Sequence, residues 1–152
     1  MDNALARPPI HLWIVGGLAT LWNIIGPTDY LMTRMRNDAW IEMGMPGVDP
    51  QIVYGYIDNM PIWSHIGWGL GVWGGLLGSI LLLARSRYAV PTYLVSLLGV
   101  AMSLGWQLVA GPDMPAEMTK GVMSQIMPYL IIVIAVALFL YARAMRMKGV
   151  LR

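Results

Sequence analysis

The stretch HIGWGLGVWGGLLGSI, residues 65–80, decides the fold that the sequence predicts. It holds no Asp, Glu, Lys or Arg, and the apolar run around it extends over 62–84. About 20 such residues, rising 1.5 Å each, cross the roughly 30 Å hydrocarbon core of a bilayer. A small residue recurs at every fourth position, and such a ridge lets a neighbouring backbone approach closely. This glycine ridge consists of Gly67, Gly71, Gly75 and Ser79.

The glycine ridge has two interpretations, because a small-residue motif does not choose its partner. It either packs against another helix of the same chain or joins two copies of the chain. We expect packing inside the monomer's own bundle. A homo-oligomer through Gly67, Gly71 and Gly75 is the alternative.

Three further segments of the chain are equally apolar. The four predicted spans lie at about 10–28, 62–84, 88–110 and 121–142, and none contains a charged side chain. Of the 152 residues, 57% are hydrophobic and only 12% are charged, whereas a soluble domain carries about 25% charged residues. The mean hydropathy of +0.60 agrees with a bilayer as the solvent. The sequence therefore predicts an all-α, integral membrane four-helix bundle that forms a single domain over 1–152.

The basic side chains predict the orientation, since cytoplasmic loops are enriched in Lys and Arg. Seven of them fall on one side of a chain that crosses four times: Arg7, Arg85, Arg87, Arg143, Arg146, Lys148 and Arg152. The other side holds Arg34, Arg36 and Lys120. We therefore expect both termini in the cytoplasm and the loops at 28–61 and 111–120 outside. The first apolar run lacks a small-x-small cleavage site, so we expect it to be retained rather than removed as a signal peptide.

The segment after the first span, 29–61, is predicted to begin with an outward-facing amphipathic helix. Gly26-Pro27 predicts a bend, because proline suits the first turn of a helix and disrupts its interior. A helix that starts at Pro27 would present an apolar stripe to the membrane surface or pack over the bundle, and it would end at Gly44. The sequence leaves open whether this helix lies on the membrane or extends the first span. The stripe comprises Leu31, Met35, Ala39 and Met43.

Polar side chains occur near the predicted outer end of every span. If they face inward, one from each helix, they form a ring at one depth that would bind a polar ligand or a lipid headgroup. The alternative is that water near the helix ends tolerates them, since polar groups indicate function mainly deeper in the membrane. The candidate ring comprises Asn23, His65, Gln107 and Gln125, with Asp29 and Asp58 at its border.

The sequence contains no motif for catalysis or for a bound cofactor, and we expect a non-enzymatic protein with no cofactor and no metal. The absence of cysteine excludes thiolate sites. His11 lies at the inner end of the first span and His65 at the outer end of the second, so they cannot bracket one haem iron. The 13 methionines are potential Cu(I) ligands, but they form no dense repeat and serve equally as adaptable apolar contacts. A net charge of +2 is too small to indicate nucleic acid.

Two stretches resemble a group of small bacterial inner-membrane proteins. LWNIIGPTDYLMT, residues 21–33, fits the pattern WN-x-x-G-x-x-DY-x-x-T. Residues 61–100 carry P-x-W and then G-x-WG-x-LLGS-x-LLL-x-R-x-R-x-AVP. The resemblance implies a four-helix protein of the bacterial inner membrane, in a group whose members are often labelled "sugar transporter" or left uncharacterised. The long outer loop, rich in Met and Pro, departs from the pattern.

These observations predict an accessory or interaction subunit of a larger membrane complex, or a module that binds a lipid or small ligand. The alternative is an oligomeric transporter or channel for small, sugar-like solutes. Transport that is coupled to protons or ions usually depends on a charged group inside the membrane. The inner halves of these spans offer only Thr20, Ser79, Thr92 and Ser96, so we prefer the binding or accessory role.

Overall fold

The computed structural model describes residues 8–109 and 114–152, and over these residues it is helical with no strand. Six helices follow one another: α1 (Ile10–Arg34), α2 (Asp38–Gly44), α3 (Pro50–Asp58), α4 (Ile62–Leu83), α5 (Ala89–Val109) and α6 (Val122–Met147). By length and composition, α1, α4, α5 and α6 are able to cross a membrane. The predicted all-α membrane bundle is confirmed. Arg7 and the predicted end of the third span at residue 110 lie outside the described residues.

Helix α1 does not give way to a new helix at Gly26-Pro27. It runs through Pro27 without a break, so the predicted bend and helix start at this proline are wrong. Up to Arg34 the segment extends the first span, which is the alternative that the sequence left open. Membrane helices tolerate proline where side chains and neighbouring helices compensate for the missing hydrogen bond. A Cβ on Gly26 would lie 3.0 Å from Val72 Cγ1, so close packing against α4 holds this part of α1 in line.

The predicted apolar stripe from Leu31 to Met43 is divided by the turn between α1 and α2. Arg36 adopts a positive φ of 53° in this turn, which ends α1 before the stripe can continue. The Asn37 side chain then accepts a hydrogen bond from the Trp40 backbone N–H at 3.0 Å and caps α2. Met35, a member of the stripe, is 74% exposed. The prediction of one continuous apolar face is therefore wrong.

Helices α2 and α3 form a cap, residues 35–61, over one end of the bundle. Ile41, Val53 and Tyr54 are buried together and give the cap a small core of its own. Helix α2 ends at Gly44, as predicted. We call the end of the bundle that carries the cap the cap end.

The opposite end of the bundle is closed by the last residues of the chain. The backbone N–H of Arg87 donates to the Arg152 carbonyl at 2.9 Å, and the N–H of Arg152 donates to the Arg85 carbonyl at 2.8 Å. Leu151 is buried in the main hydrophobic cluster, which packs α6 against the bundle at this end. The first half of α6 stays exposed, with Val133 64% accessible.

The glycine ridge of α4 is covered within the chain by α5 and α1. A Cβ on Gly67 would lie 2.9 Å from the carbonyl oxygen of Gly99 in α5. The Ser96 hydroxyl of α5 donates to the Gly71 carbonyl at 2.6 Å. At Gly75 the neighbours come from both α1 and α5. The ridge thus packs inside the monomer and offers no surface to a second copy.

Candidate functional site

A buried polar network joins three of the long helices. Asn23 of α1 donates to Ser79 Oγ of α4 at 3.1 Å, and Ser79 Oγ lies 2.9 Å from the Tyr93 hydroxyl of α5. The Ser79 hydroxyl also lies 2.9 Å from the Gly75 carbonyl, to which it donates, so it accepts from both Asn23 and Tyr93. Asn23 donates its second N–H to the Ala19 carbonyl at 2.9 Å. The donors of all three side chains thus bond to partners inside the chain.

The predicted ring of polar residues is not assembled at one depth. Asn23 bonds to Ser79, which lies 14 residues beyond His65 on α4, or about 21 Å along the helix axis. His65 instead bonds to Arg34. Gln107 is half-buried on α5, and Gln125 is exposed on the outlying half of α6. The physical reason is that α1 extends beyond Pro27, which moves Asn23 away from the end of its helix.

The two acids predicted to border the ring belong to contacts of the cap. Asp29 accepts a hydrogen bond from Trp40 Nε1 at 3.0 Å, which ties α2 to α1. Asp58 forms a salt bridge with Arg36 at 2.7 Å, with both side chains more than half exposed. Exposed pairs contribute little stability, and a partly buried indole–carboxylate bond contributes more.

Removal of the Asp29 carboxylate is expected to loosen α2. An Asp29→Ala variant leaves the half-buried Trp40 indole N–H without its acceptor, at a cost of about 1–3 kcal/mol. Amide hydrogen exchange in α2 should accelerate, while exchange in α4 and α5 should stay as in the wild type. Glu42→Ala removes an exposed carboxylate from α2 itself and serves as the control. Equal exchange rates in the two variants would contradict the assignment.

A lateral groove of about 760 Å³ runs along the exposed side of α4. Tyr30 and Arg34 of α1 border it at the cap end, and Thr92 and Val95 of α5 border it further along. Its floor is formed by α4, where large apolar side chains recur at helical spacing and are about half exposed. The floor comprises Ile62, His65, Ile66, Gly69, Leu70, Trp73, Gly74 and Leu77.

The mouth of the groove is built around a fixed guanidinium group. Arg34 Nη2 lies 2.8 Å from His65 Nδ1. Arginine can only donate, so Nδ1 is the acceptor, and His65 is neutral with its proton on Nε2. The guanidinium carbon lies 5.3 Å from the centre of the Tyr30 ring and 5.6 Å from that of Trp68. These contacts hold the cation in place while the side chain remains exposed.

Two tyrosines of the cap keep their protons at neutral pH. Burial, together with a 3.0 Å hydrogen bond to Asp38, raises the pKa of Tyr54. Burial also raises the pKa of Tyr56, whose ring packs 5.6 Å from that of Trp106 in α5. The Tyr56 hydroxyl and the Ser64 hydroxyl are buried without a hydrogen-bond partner among the described residues.

Some groove residues escaped prediction because they were attributed to other roles. Arg34 enters the sequence-based prediction only as one of the basic residues that indicate orientation. Tyr30 and Arg34 are spaced i, i+4, however, and they share a face once α1 is continuous. Ile62, Ile66 and Leu70 recur at every fourth position, and this spacing indicates an apolar side of α4.

Within residues 8–109 and 114–152, no three His, Asp or Glu side chains converge as potential metal ligands. Comparisons of the chain with protein-family models, with curated proteins and with solved structures find no match. The geometry of the lateral groove and of the polar network is therefore the basis for assigning a role.

Proposed function

We propose that the chain is a non-enzymatic accessory module of the bacterial inner membrane that binds a lipid or lipid-like small ligand in the lateral groove. The observation that carries this proposal is the groove itself, which is shallow and open, lined mostly by apolar side chains and polar at one end. Ligand sites typically combine an apolar lining with a few placed polar groups. With both termini in the cytoplasm, the polar mouth would lie at the outer surface of the membrane.

A transporter for small polar solutes is the second candidate, and two observations weigh against it. In the polar network, Asn23, Ser79 and Tyr93 donate their hydrogen bonds to partners inside the chain, so these donors are not offered to a solute. The α4–α5 interface is packed backbone against backbone at Gly99, which leaves no room for a solute between these helices. A solute path between α4 and α5 would therefore require these two helices to separate.

Filling the groove is expected to displace its ligand. The atoms nearest to a Cβ on Gly69 would belong to Tyr30, with the hydroxyl oxygen at 3.7 Å, which is ordinary van der Waals contact. Gly69→Leu therefore adds a side chain at the floor of the groove and occupies groove volume. We expect phospholipid affinity to fall about ten-fold, the equivalent of about 1.4 kcal/mol in lost contacts. Native mass spectrometry of the whole chain in mild detergent, titrated with phospholipid, measures the bound fraction directly.

The matched control is Gly17→Leu, which places the same side chain on α1. A Cβ on Gly17 would meet nothing within 4 Å, and this residue does not line the groove. Gly17→Leu should bind phospholipid as the wild type does. If Gly69→Leu and Gly17→Leu bind phospholipid equally well, the groove is not a ligand site and the proposal fails.

A further inference from the structure

The lateral groove has one cationic end and an otherwise apolar length, which matches the shape of an anionic amphiphile. We propose that it holds one anionic phospholipid of the leaflet at the cap end, with the phosphate on Arg34 and one acyl chain along Leu70, Trp73 and Leu77. This inference rests on the proposed function, because it names the ligand class of the same groove.

Charge complementarity identifies the headgroup. The Arg34 guanidinium has five N–H donors in a planar fork that suits phosphate oxygens, and the hydrogen bond to His65 leaves donors unused. Among residues 8–109 and 114–152, no carboxylate lies within 4.0 Å of Arg34. An exposed and prepositioned cation at the headgroup level is therefore left for an anion from outside the chain.

The depth of the groove identifies the ligand as a lipid rather than free phosphate. From His65 to Leu77 the floor of the groove spans 12 residues, about 18 Å at 1.5 Å per residue. One leaflet occupies about half of the roughly 30 Å hydrocarbon core. The apolar floor of the groove is thus about as long as one leaflet is thick. Arg34 lies at the end of α1, at the level of the headgroups. Free phosphate would use the mouth alone and would leave this length uncovered.

The neighbouring Arg36 provides an internal comparison. It is paired with Asp58 at 2.7 Å and lies over the Tyr54 ring within the cap, away from the groove. The two arginines carry the same charge at the same end of the bundle. A preference for anionic lipid that comes from the groove should depend on Arg34 and not on Arg36.

The experiment compares two lipids with identical chains, dioleoylphosphatidylglycerol and dioleoylphosphatidylethanolamine, by native mass spectrometry of the whole chain. The wild type should bind the anionic lipid about ten-fold more tightly. Both lipids offer a phosphate to Arg34, but only the ethanolamine headgroup adds an ammonium, which the guanidinium repels. Arg34→Gln should abolish that preference, and Arg34→Lys should restore part of it. Arg36→Gln should keep the preference within two-fold of wild type, roughly the scatter expected for a residue outside the site.

Three results would overturn the assignment: equal affinities of the wild type for the two lipids, an equal loss in Arg36→Gln, or displacement of the lipid by millimolar glycerol 3-phosphate. The last result would point to a site for free phosphate. If Gly69→Leu weakens both lipids and Arg34→Gln weakens neither, groove binding stands and the headgroup assignment fails. If Gly69→Leu weakens neither lipid, the proposed function fails as well. The wild-type comparison of the two lipids does not depend on the folding of any variant.

Discussion

Replacing Gly99 by leucine is expected to prevent the bundle from folding. A Cβ at this position would lie 2.6 Å from the Gly67 carbonyl oxygen and 2.9 Å from the Leu70 carbonyl carbon, and it would also collide with the Gly71 N–H. The obstructing atoms are backbone, so no side-chain rotation relieves the clash, and α5 must move away from α4. Overpacking typically costs about 1–3 kcal/mol, and a clash with backbone lies at or above the upper end.

The matched control for Gly99→Leu is Gly105→Leu on the same helix. A Cβ on Gly105 would meet nothing within 4 Å, so the same change in volume and helix propensity should be tolerated there. Size-exclusion chromatography in mild detergent should recover Gly105→Leu as a monodisperse species and Gly99→Leu as aggregate. For any Gly99→Leu protein that stays soluble, thermal unfolding monitored by tryptophan fluorescence compares its unfolding midpoint with that of Gly105→Leu. Similar midpoints for the two variants would mean that α4 and α5 are not packed through their backbones.

The sequence was sufficient to predict the spans, because the relevant pattern is long and repetitive. An uncharged run such as 62–84 has few alternatives to a membrane helix, and its small residues at every fourth position indicate a close contact. The ridge could not indicate which helix packs against it. That helix is α5, and the contact depends on Gly99, whose role is visible only when the backbones of α4 and α5 are placed together.

The end of α1 was mispredicted because a local rule competed with tertiary packing. Proline disfavours a helix interior, but the close contact between Gly26 and Val72 packs α1 against α4 and keeps the helix continuous through Pro27. The error propagated to the candidate site. With α1 extended, Arg34 reaches His65 and Asn23 meets Ser79 instead of joining a ring. Hydrogen-bond pairing between helices is a long-range property that no local spacing encodes.

Replacing Ser79 by leucine should produce the second large loss of stability. The Ser79 side chain is fully buried, so leucine must displace its neighbours, and Asn23 and Tyr93 each lose their shared partner. The steric and polar costs together should exceed about 3 kcal/mol. Ser79→Ala separates the two costs. It removes the hydroxyl without adding volume, and hydrogen bonds between membrane helices contribute about 0.6 kcal/mol on average and about 1.7 kcal/mol at most.

The comparison of Ser79→Ala with Ser79→Leu also discriminates between the two candidate functions. If the network is structural, Ser79→Ala should lower the unfolding midpoint slightly and leave phospholipid binding in the groove unchanged, because Ser79 does not line the groove. If the network belongs to a solute path, Ser79→Ala should alter solute uptake into proteoliposomes while stability stays near that of the wild type. Wild-type proteoliposomes that take up no solute, together with a destabilised Ser79→Leu, would favour the binding module. Uptake that depends on the Ser79 hydroxyl would instead require a polar path along the interface between α1, α4 and α5.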